Sequence, residues 1–130
     1  MRPFPALAFI LTAGTALADG GVTVPLPTIP PLSQGEQEHL LMQLVVANVV
    51  QINCPGSEQS MAEWALLTGS ADRVAESLGL SVEAYDDTYY RPAFALLDKA
   101  DTCARELPRV QPLIRRLIAW GGSLEATPIE

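Results

Sequence analysis

The stretch that decides the fold spans residues 40–52 and reads Leu40-Leu41-Met42-Gln43-Leu44-Val45-Val46-Ala47-Asn48-Val49-Val50-Gln51-Ile52. Wound as a helix, this stretch is apolar on most of its circumference, and such a helix is buried in the interior of a protein. Its β-branched residues also permit a strand, but its length favours a helix. We therefore predict a helix that is buried either in a small bundle or in a subunit interface.

Helix start and stop signals surround this stretch. Ser33-Gln34-Gly35-Glu36 has the S-x-x-E pattern of a capping box, which satisfies the free amides at the start of a helix. Asn53-Cys54-Pro55-Gly56 breaks the helix at its other end. The first helix is therefore expected to begin after Ser33 and to end near Ile52.

Glycine, serine and proline residues divide the rest of the chain into shorter helical patterns. Serine favours helix starts, glycine favours helix ends, and proline is tolerated only in a first turn. The expected boundaries lie at Ser57 and Gly69, Ser70 and Gly79, Ser81, Pro92, Pro108 and Gly121-Gly122. Together these signals predict an all-α domain, a small bundle of five or six short helices with one disulfide.

The first 18 residues have the pattern of a cleaved signal peptide. Arg2 supplies the positive start, a short apolar run follows, and Ala16-Leu17-Ala18 forms the cleavage box. The run is too short to span a bilayer, which needs about 20 apolar residues. We expect a periplasmic product without a stable membrane anchor.

Two segments flank the expected helical domain, which covers residues 33–122. Residues 19–32 contain Pro25, Pro27, Pro30 and Pro31, which favour an extended arm that acts as a linker or docks into a partner. Residues 123–130 are expected to form a flexible tail.

The charge of the chain limits its partners. The net charge is −7, and removal of Arg2 with the signal makes it −8. Such an acidic protein is not expected to bind nucleic acid or anionic membranes, because both repel it. A protein partner or a homodimer is the expected interaction.

Cys54 and Cys103 are the only cysteines. Export places them in an oxidising compartment, where a small domain commonly carries a disulfide. The bridge would close a loop of about 50 residues and stabilise the fold by about 4 kcal/mol. Free thiols and a redox-active pair are the alternatives, but the chain has no C-x-x-C spacing and no basic cluster around either cysteine to support redox chemistry.

The search for catalytic or ligand-binding residues identifies no site. His39 is the only histidine, so it is the only candidate base for a nucleophilic serine or cysteine, and it is more typical of a surface position near a helix start. The chain lacks the ligands that zinc would need and the motifs that bind haem or other cofactors. We expect no catalytic, cofactor-binding or metal-binding residues, and hence no enzyme.

Two surfaces carry weaker signals. Asp86-Asp87-Thr88-Tyr89-Tyr90 could bind calcium or a basic peptide, although it lacks the spacing of a calcium loop and is typical of a solvated helix end. The last helix combines Arg109, Arg115 and Arg116 with an apolar face, which indicates either a membrane or partner surface or an ordinary bundle helix.

Several short motifs resemble an uncharacterised family. Pro31-Leu32-Ser33, Ile52-Asn53-Cys54-Pro55, Leu78-Gly79-Leu80-Ser81 and Thr102-Cys103 resemble small secreted two-cysteine helical proteins of Rhodobacter-type alphaproteobacteria. That resemblance implies export, a helical fold and paired cysteines, but no activity.

A weaker resemblance is to the HdeA-like periplasmic acid-stress chaperones, through Arg91-Pro92-Ala93-Phe94 ahead of Cys103. Those chaperones place the first cysteine near the mature N-terminus, whereas here an arm and a long helix precede it. Near pH 2 the net charge would change from −8 to about +8, as in any acidic protein of this composition.

Three function classes therefore remain open. The leading hypothesis is a non-enzymatic periplasmic interaction or accessory module. The alternative is an acid-activated HdeA-like chaperone, and a small hydrolase or redox enzyme that uses His39 or the cysteines is the third.

Overall fold

A computed structural model describes residues 21–129, so the expected signal peptide lies outside the described residues. Six α-helices occur in this part: α1 (Gln34–Asn53), α2 (Met61–Ser77), α3 (Val82–Tyr85), α4 (Arg91–Ala95), α5 (Thr102–Glu106) and α6 (Val110–Ala119). A π-helical turn joins α3 to α4, the 3₁₀ turn Leu96–Asp98 continues α4, and the 3₁₀ turn Leu107–Arg109 joins α5 to α6. The described chain thus forms four continuous helical segments, at residues 34–53, 61–77, 82–98 and 102–119.

The central helix is α1, and its prediction is confirmed. Ser33 and Glu36 form the expected capping box, and Cys54 is the C-cap. Ten residues of α1 are buried, and they lie on all sides of the helix. The helices α2, α4, α5 and α6 contact it, so the chain buries α1 within its own bundle.

The prediction of five or six separate helices is wrong in four places, one of which is a break at residues 99–101 within the helix expected from Pro92 to Pro108. The second and third predicted helices are one helix, α2, which begins at a capping box of Ser60 and Glu63 rather than at Ser57. Gly69 does not end it. A Cβ atom added at Gly69 would lie 2.7 Å from Cδ2 of Leu26, so this glycine admits a close neighbour instead.

Pro92 and Pro108 were expected to interrupt the later helices, but the helical path continues through both. Arg91 donates its backbone N–H to the carbonyl of Asp86, which closes the π-helical turn Asp86–Tyr90 just before Pro92. Pro92 then occupies the first turn of α4, where its missing N–H costs little. Pro108 lies in the 3₁₀ turn Leu107–Arg109, so the chain passes from α5 into α6.

The predicted glycine stops after α2 and after α6 are confirmed. Gly79 has a φ of 68°, and Leu80 donates its N–H to the Ala75 carbonyl after α2 ends. Gly121 has a φ of 101° after α6, where Gly122 donates to the Leu117 carbonyl. Both positions need the left-handed backbone that glycine adopts without strain.

A small sheet adds to the helices, so the fold is mostly helical rather than all-α. The strand β1 (Val22–Thr23) pairs antiparallel with β2 (Thr127–Pro128). The N–H of Ser123 donates to the Pro25 carbonyl, and the N–H of Thr28 donates to the Trp120 carbonyl. The described parts of the proline-rich arm and the C-terminal segment therefore lie against the domain and bond to each other.

Cys54 and Cys103 form the predicted disulfide, with their Cα atoms 5.7 Å apart. Cys54 is buried beyond the end of α1, and Cys103 is the second residue of α5. The bridge therefore joins the end of the central helix to the fourth helical segment. In the part of the chain from 21 to 129, no helix has the length and apolar character that crossing a membrane requires.

Candidate functional site

An apolar concavity lies where α2 turns into α3. We call it the tyrosine groove and define it by Asp72, Glu76, Val82, Tyr85, Asp86 and Tyr90, which line a cavity of about 450 Å³. Asp72 and Glu76 lie one turn apart on α2, whereas the other four residues come from the segment after Gly79. The glycine-terminated turn thus brings together residues that are separate in the sequence.

The tyrosines of the groove pack against each other. The rings of Tyr85 and Tyr90 are stacked, with centroids 5.2 Å apart and planes inclined by 18°. Tyr89 is buried and meets Tyr85 edge-on at 6.4 Å. The Tyr89 ring therefore anchors the segment, and the half-buried Tyr85 and Tyr90 rings form the groove wall.

The phenols of the groove are neutral at physiological pH. Burial, together with the neighbouring Tyr90 and Asp72, raises the pKa of Tyr85 far above its ordinary value. Burial also raises the pKa of Tyr90. The Tyr85 hydroxyl donates a hydrogen bond of 3.3 Å to Oδ1 of Asp72, so its oxygen is tied to one wall of the groove.

The carboxylates of the groove differ in their partners. Nε of Arg91 lies 3.2 Å from Oδ2 of Asp86 and 3.1 Å from Oδ1 of Asp87. These two exposed carboxylates are therefore already paired with a cation. Asp72 and Glu76 form no ion pair with any residue from 21 to 129. The two carboxylates contributed by α2 thus leave an uncompensated negative charge beside an aromatic wall.

A second cleft surrounds His39. It has a volume of about 430 Å³, and its lining includes His39, Gln43, Glu106, Arg109, Leu113 and Arg116. Oε1 of Glu106 lies 3.1 Å from Nε of Arg105 and 3.5 Å from Nη1 of Arg109. The lining contains no serine, threonine or cysteine. His39 therefore lies beside no side-chain hydroxyl or thiol in this lining, and the Glu106 carboxylate is already paired with two arginines.

The packing of α6 bears on the two interpretations of the basic last helix. The apolar residues Val110, Leu113, Ile114 and Leu117 of α6 are buried in the core. The guanidinium of Arg116 lies over the Trp120 ring, 4.7 Å from its centroid. Most of the apolar face of α6 thus packs inside the bundle, while Ile118 is 40% exposed.

A partly buried cluster of amides was not anticipated from the sequence. Nε2 of Gln59 donates to the side-chain oxygens of Asn48, at 3.1 Å, and of Gln51, at 2.9 Å. Glu63 accepts from Gln51 at 3.3 Å and from Gln111 at 2.8 Å. Polar residues in the otherwise apolar α1 were the available signal. Their partners lie in other elements, so the role of the cluster in joining α1, α2 and α6 is structural.

Burial and hydrogen bonding act in opposite directions on Glu63. Burial alone would raise the pKa of its carboxyl group, but hydrogen bonds from Gln111, the Ser60 amide and other donors outweigh that effect. The pKa of Glu63 is therefore lowered from its ordinary value of 4.5. The carboxylate form holds the cluster together.

Of the residues singled out in the sequence, the structure joins Cys54 to Cys103 and places Asp86 and Tyr90 in the tyrosine groove. It leaves His39 in a separate cleft. The sequence search missed Asp72 and Glu76, whose spacing on one helix face was the available signal. Comparison with protein-family models, with curated proteins and with solved structures found no match to this chain.

Proposed function

We propose that this chain is a non-enzymatic interaction module that is exported to the periplasm and binds a protein partner through the tyrosine groove. The observation that carries the proposal is the exposure of Val82. Its side chain is 85% exposed at the edge of an aromatic concavity. Aromatic and apolar side chains that remain uncovered in one concave patch are typical of surfaces that bind partners.

The remaining architecture supports a binding role over a catalytic one. Both cysteines are engaged in the disulfide, so neither offers a thiol. The cleft around His39 contains no hydroxyl or thiol side chain that this base could activate. A disulfide is also in keeping with an oxidising extracellular or periplasmic location. The resemblance of its short motifs to those of small secreted two-cysteine proteins implies the same assignment.

Site-specific photocrosslinking tests the proposal. A photoreactive residue replaces Val82 in the full-length protein, which is produced in the exporting bacterium and illuminated. We expect one dominant adduct with a defined protein. The matched control places the same residue at Ile52, which is 54% exposed but lies outside the groove. Absence of any adduct at position 82, or the same adduct from both positions, would contradict the proposal.

A second candidate function, the acid-activated chaperone, is supported by the position of Glu63. Its carboxylate joins three helices through the amide cluster, so protonation loosens contacts between them while the disulfide keeps the chain compact. We expect such a protein to suppress client aggregation at about pH 2 and to lose this activity in a Cys54→Ser variant. Inactivity at low pH removes this candidate.

A further inference from the structure

We propose that the tyrosine groove recognises a lysine- or arginine-bearing segment of its partner, an inference that rests on the interaction function proposed above. The groove combines three features that a long cationic side chain requires. These are uncompensated carboxylates, accessible aromatic rings and an apolar surface for the aliphatic stem. Each feature is contributed by different residues.

The carboxylates provide the charge complementarity. Asp72 and Glu76 are exposed, and neither has a basic partner in the part of the chain that the structure describes. Asp86 is held by Arg91, whose own side chain is 73% exposed. The intramolecular Arg91–Asp86 pair shows the interaction that an incoming guanidinium would repeat at the two free carboxylates. The net charge of −7 also favours the approach of a basic partner.

The rings provide a second attraction for a cation. A lysine or arginine head group is attracted to the face of an aromatic ring when it lies within about 6 Å of the ring centre. The groove holds two such rings, Tyr85 and Tyr90, whose stacked arrangement keeps them fixed. Both phenols remain protonated at physiological pH because burial raises their pKa. The rings are therefore neutral faces, and the hydroxyl proton of Tyr85 is already donated to Asp72.

The apolar part of the groove fits the stem of the same side chain. Lysine and arginine bury their methylene groups on apolar surfaces while the head group stays near water or a carboxylate. Val82 and the partly buried Leu80 line this part of the groove. The cavity volume of about 450 Å³ has room for one or two such side chains. An extended basic segment is therefore the occupant that we infer.

A matched pair of peptides tests the charge requirement. The probe is a short peptide of alternating lysine and leucine, and its control is the same peptide with every lysine acetylated, which keeps the shape but removes the charge. Binding to the full mature protein is measured by calorimetry at low and high salt. We expect acetylation or high salt to weaken binding at least roughly tenfold, because surface ion pairs are screened and cation–π contacts need the charge. Equal binding of the two peptides overturns the inference.

Matched protein variants locate the interaction. Asp72→Asn with Glu76→Gln removes two charges from the groove, whereas Glu58→Gln with Glu125→Gln removes two from exposed positions outside it. We expect the first double variant to bind the lysine peptide roughly fivefold to tenfold more weakly, and the second to be nearly unchanged. Equal weakening in both would show attraction to net charge alone, which contradicts a site.

A ring variant separates the aromatic contribution. Tyr90→Leu keeps an apolar side chain but removes the π face, and we expect roughly threefold weaker binding of the lysine peptide. Unchanged binding rejects the aromatic part of the inference. If crosslinking at position 82 finds a partner whose binding ignores both the charge and ring variants, the interaction function stands and the cationic specificity fails. If no partner is found while the peptide tests succeed, the interaction function fails instead.

Discussion

The surroundings of α1 and the segment around the tyrosine groove use the same kinds of side chain for opposite purposes. In α1, Leu44 and Val50 are completely buried, and even Asn48 is enclosed by partners. In the segment 82–98, Val82 is 85% exposed and Phe94 is 50% exposed. The first region lowers the free energy of the folded chain, whereas the second leaves apolar surface uncovered. Under the proposed function, stability and recognition are thus separated in space in this small protein.

Removal of the disulfide is expected to cause the largest loss of stability and tests whether the groove is independent of it. Neither cysteine lines the tyrosine groove, although the bridge spans a sequence separation of 49 residues. We expect Cys54→Ala with Cys103→Ala to lower the free energy of unfolding by about 4 kcal/mol, because the unfolded chain regains the entropy of that loop. Urea denaturation measures the loss.

Peptide binding provides the control for this double variant. Where the variant is still folded, it should bind the lysine peptide as the parent protein does. Lost binding in a folded sample would show that the bridge also shapes the groove, and the two regions would not be separate.

A pair of truncations compares the two regions directly. Leu44→Ala removes a side chain that is 0% exposed, and we expect a loss of roughly 2–5 kcal/mol in the free energy of unfolding. Val82→Ala removes a side chain that is 85% exposed, so its stability should change by less than about 0.5 kcal/mol. Denaturation midpoints check both values. Comparable losses would mean that the exposed valine supports the fold.

Two glycine substitutions test how tightly the proline-rich arm packs against α2. In Gly69→Ala the new Cβ meets Cδ2 of Leu26 at 2.7 Å, so the Leu26 side chain must shift, and we expect a loss of about 1 kcal/mol. Gly35→Ala in α1 is the control, because nothing lies within 4 Å of its Cβ and alanine favours a helix by up to about 1 kcal/mol. Thermal melting compares them. A neutral Gly69→Ala would show that Leu26 moves freely.

The smallest expected effect concerns the amide cluster at low pH. The pKa of Glu63 is lowered in the folded protein from its ordinary value of 4.5, so the folded state favours the carboxylate. Its contribution to stability is present above about pH 4.5 and is lost as the pH falls through the lower, folded pKa. We expect Glu63→Gln to lose less stability than the parent protein over this interval.

The control for Glu63 is Glu36→Gln, which occupies the same position in the capping box of α1 but lies outside the amide cluster. Stability measured by urea denaturation at several pH values compares the variants. If Glu63→Gln retained the full acid sensitivity of the parent protein, other carboxylates would be responsible for it.

Much of the fold could be predicted because its signals are local. The capping box at Ser33, the run of apolar residues in α1 and the stop at Gly79 each depend on neighbours within a few positions. The errors arose where a local signal served a distant contact. Gly69 resembled a helix stop but admits Leu26, and the π-helical turn before Pro92 lets the helical path continue.

The sequence by itself determined a helical, disulfide-linked domain built on α1, because caps, periodic burial and paired cysteines need no knowledge of the partners of each element. Only the tertiary structure decided that the proline-rich arm bonds to the C-terminal segment and that Asp72 and Glu76 face Tyr85 and Tyr90 across one groove. These contacts join residues from different elements, and their geometry depends on how α2 and the following segment pack after the turn at Gly79.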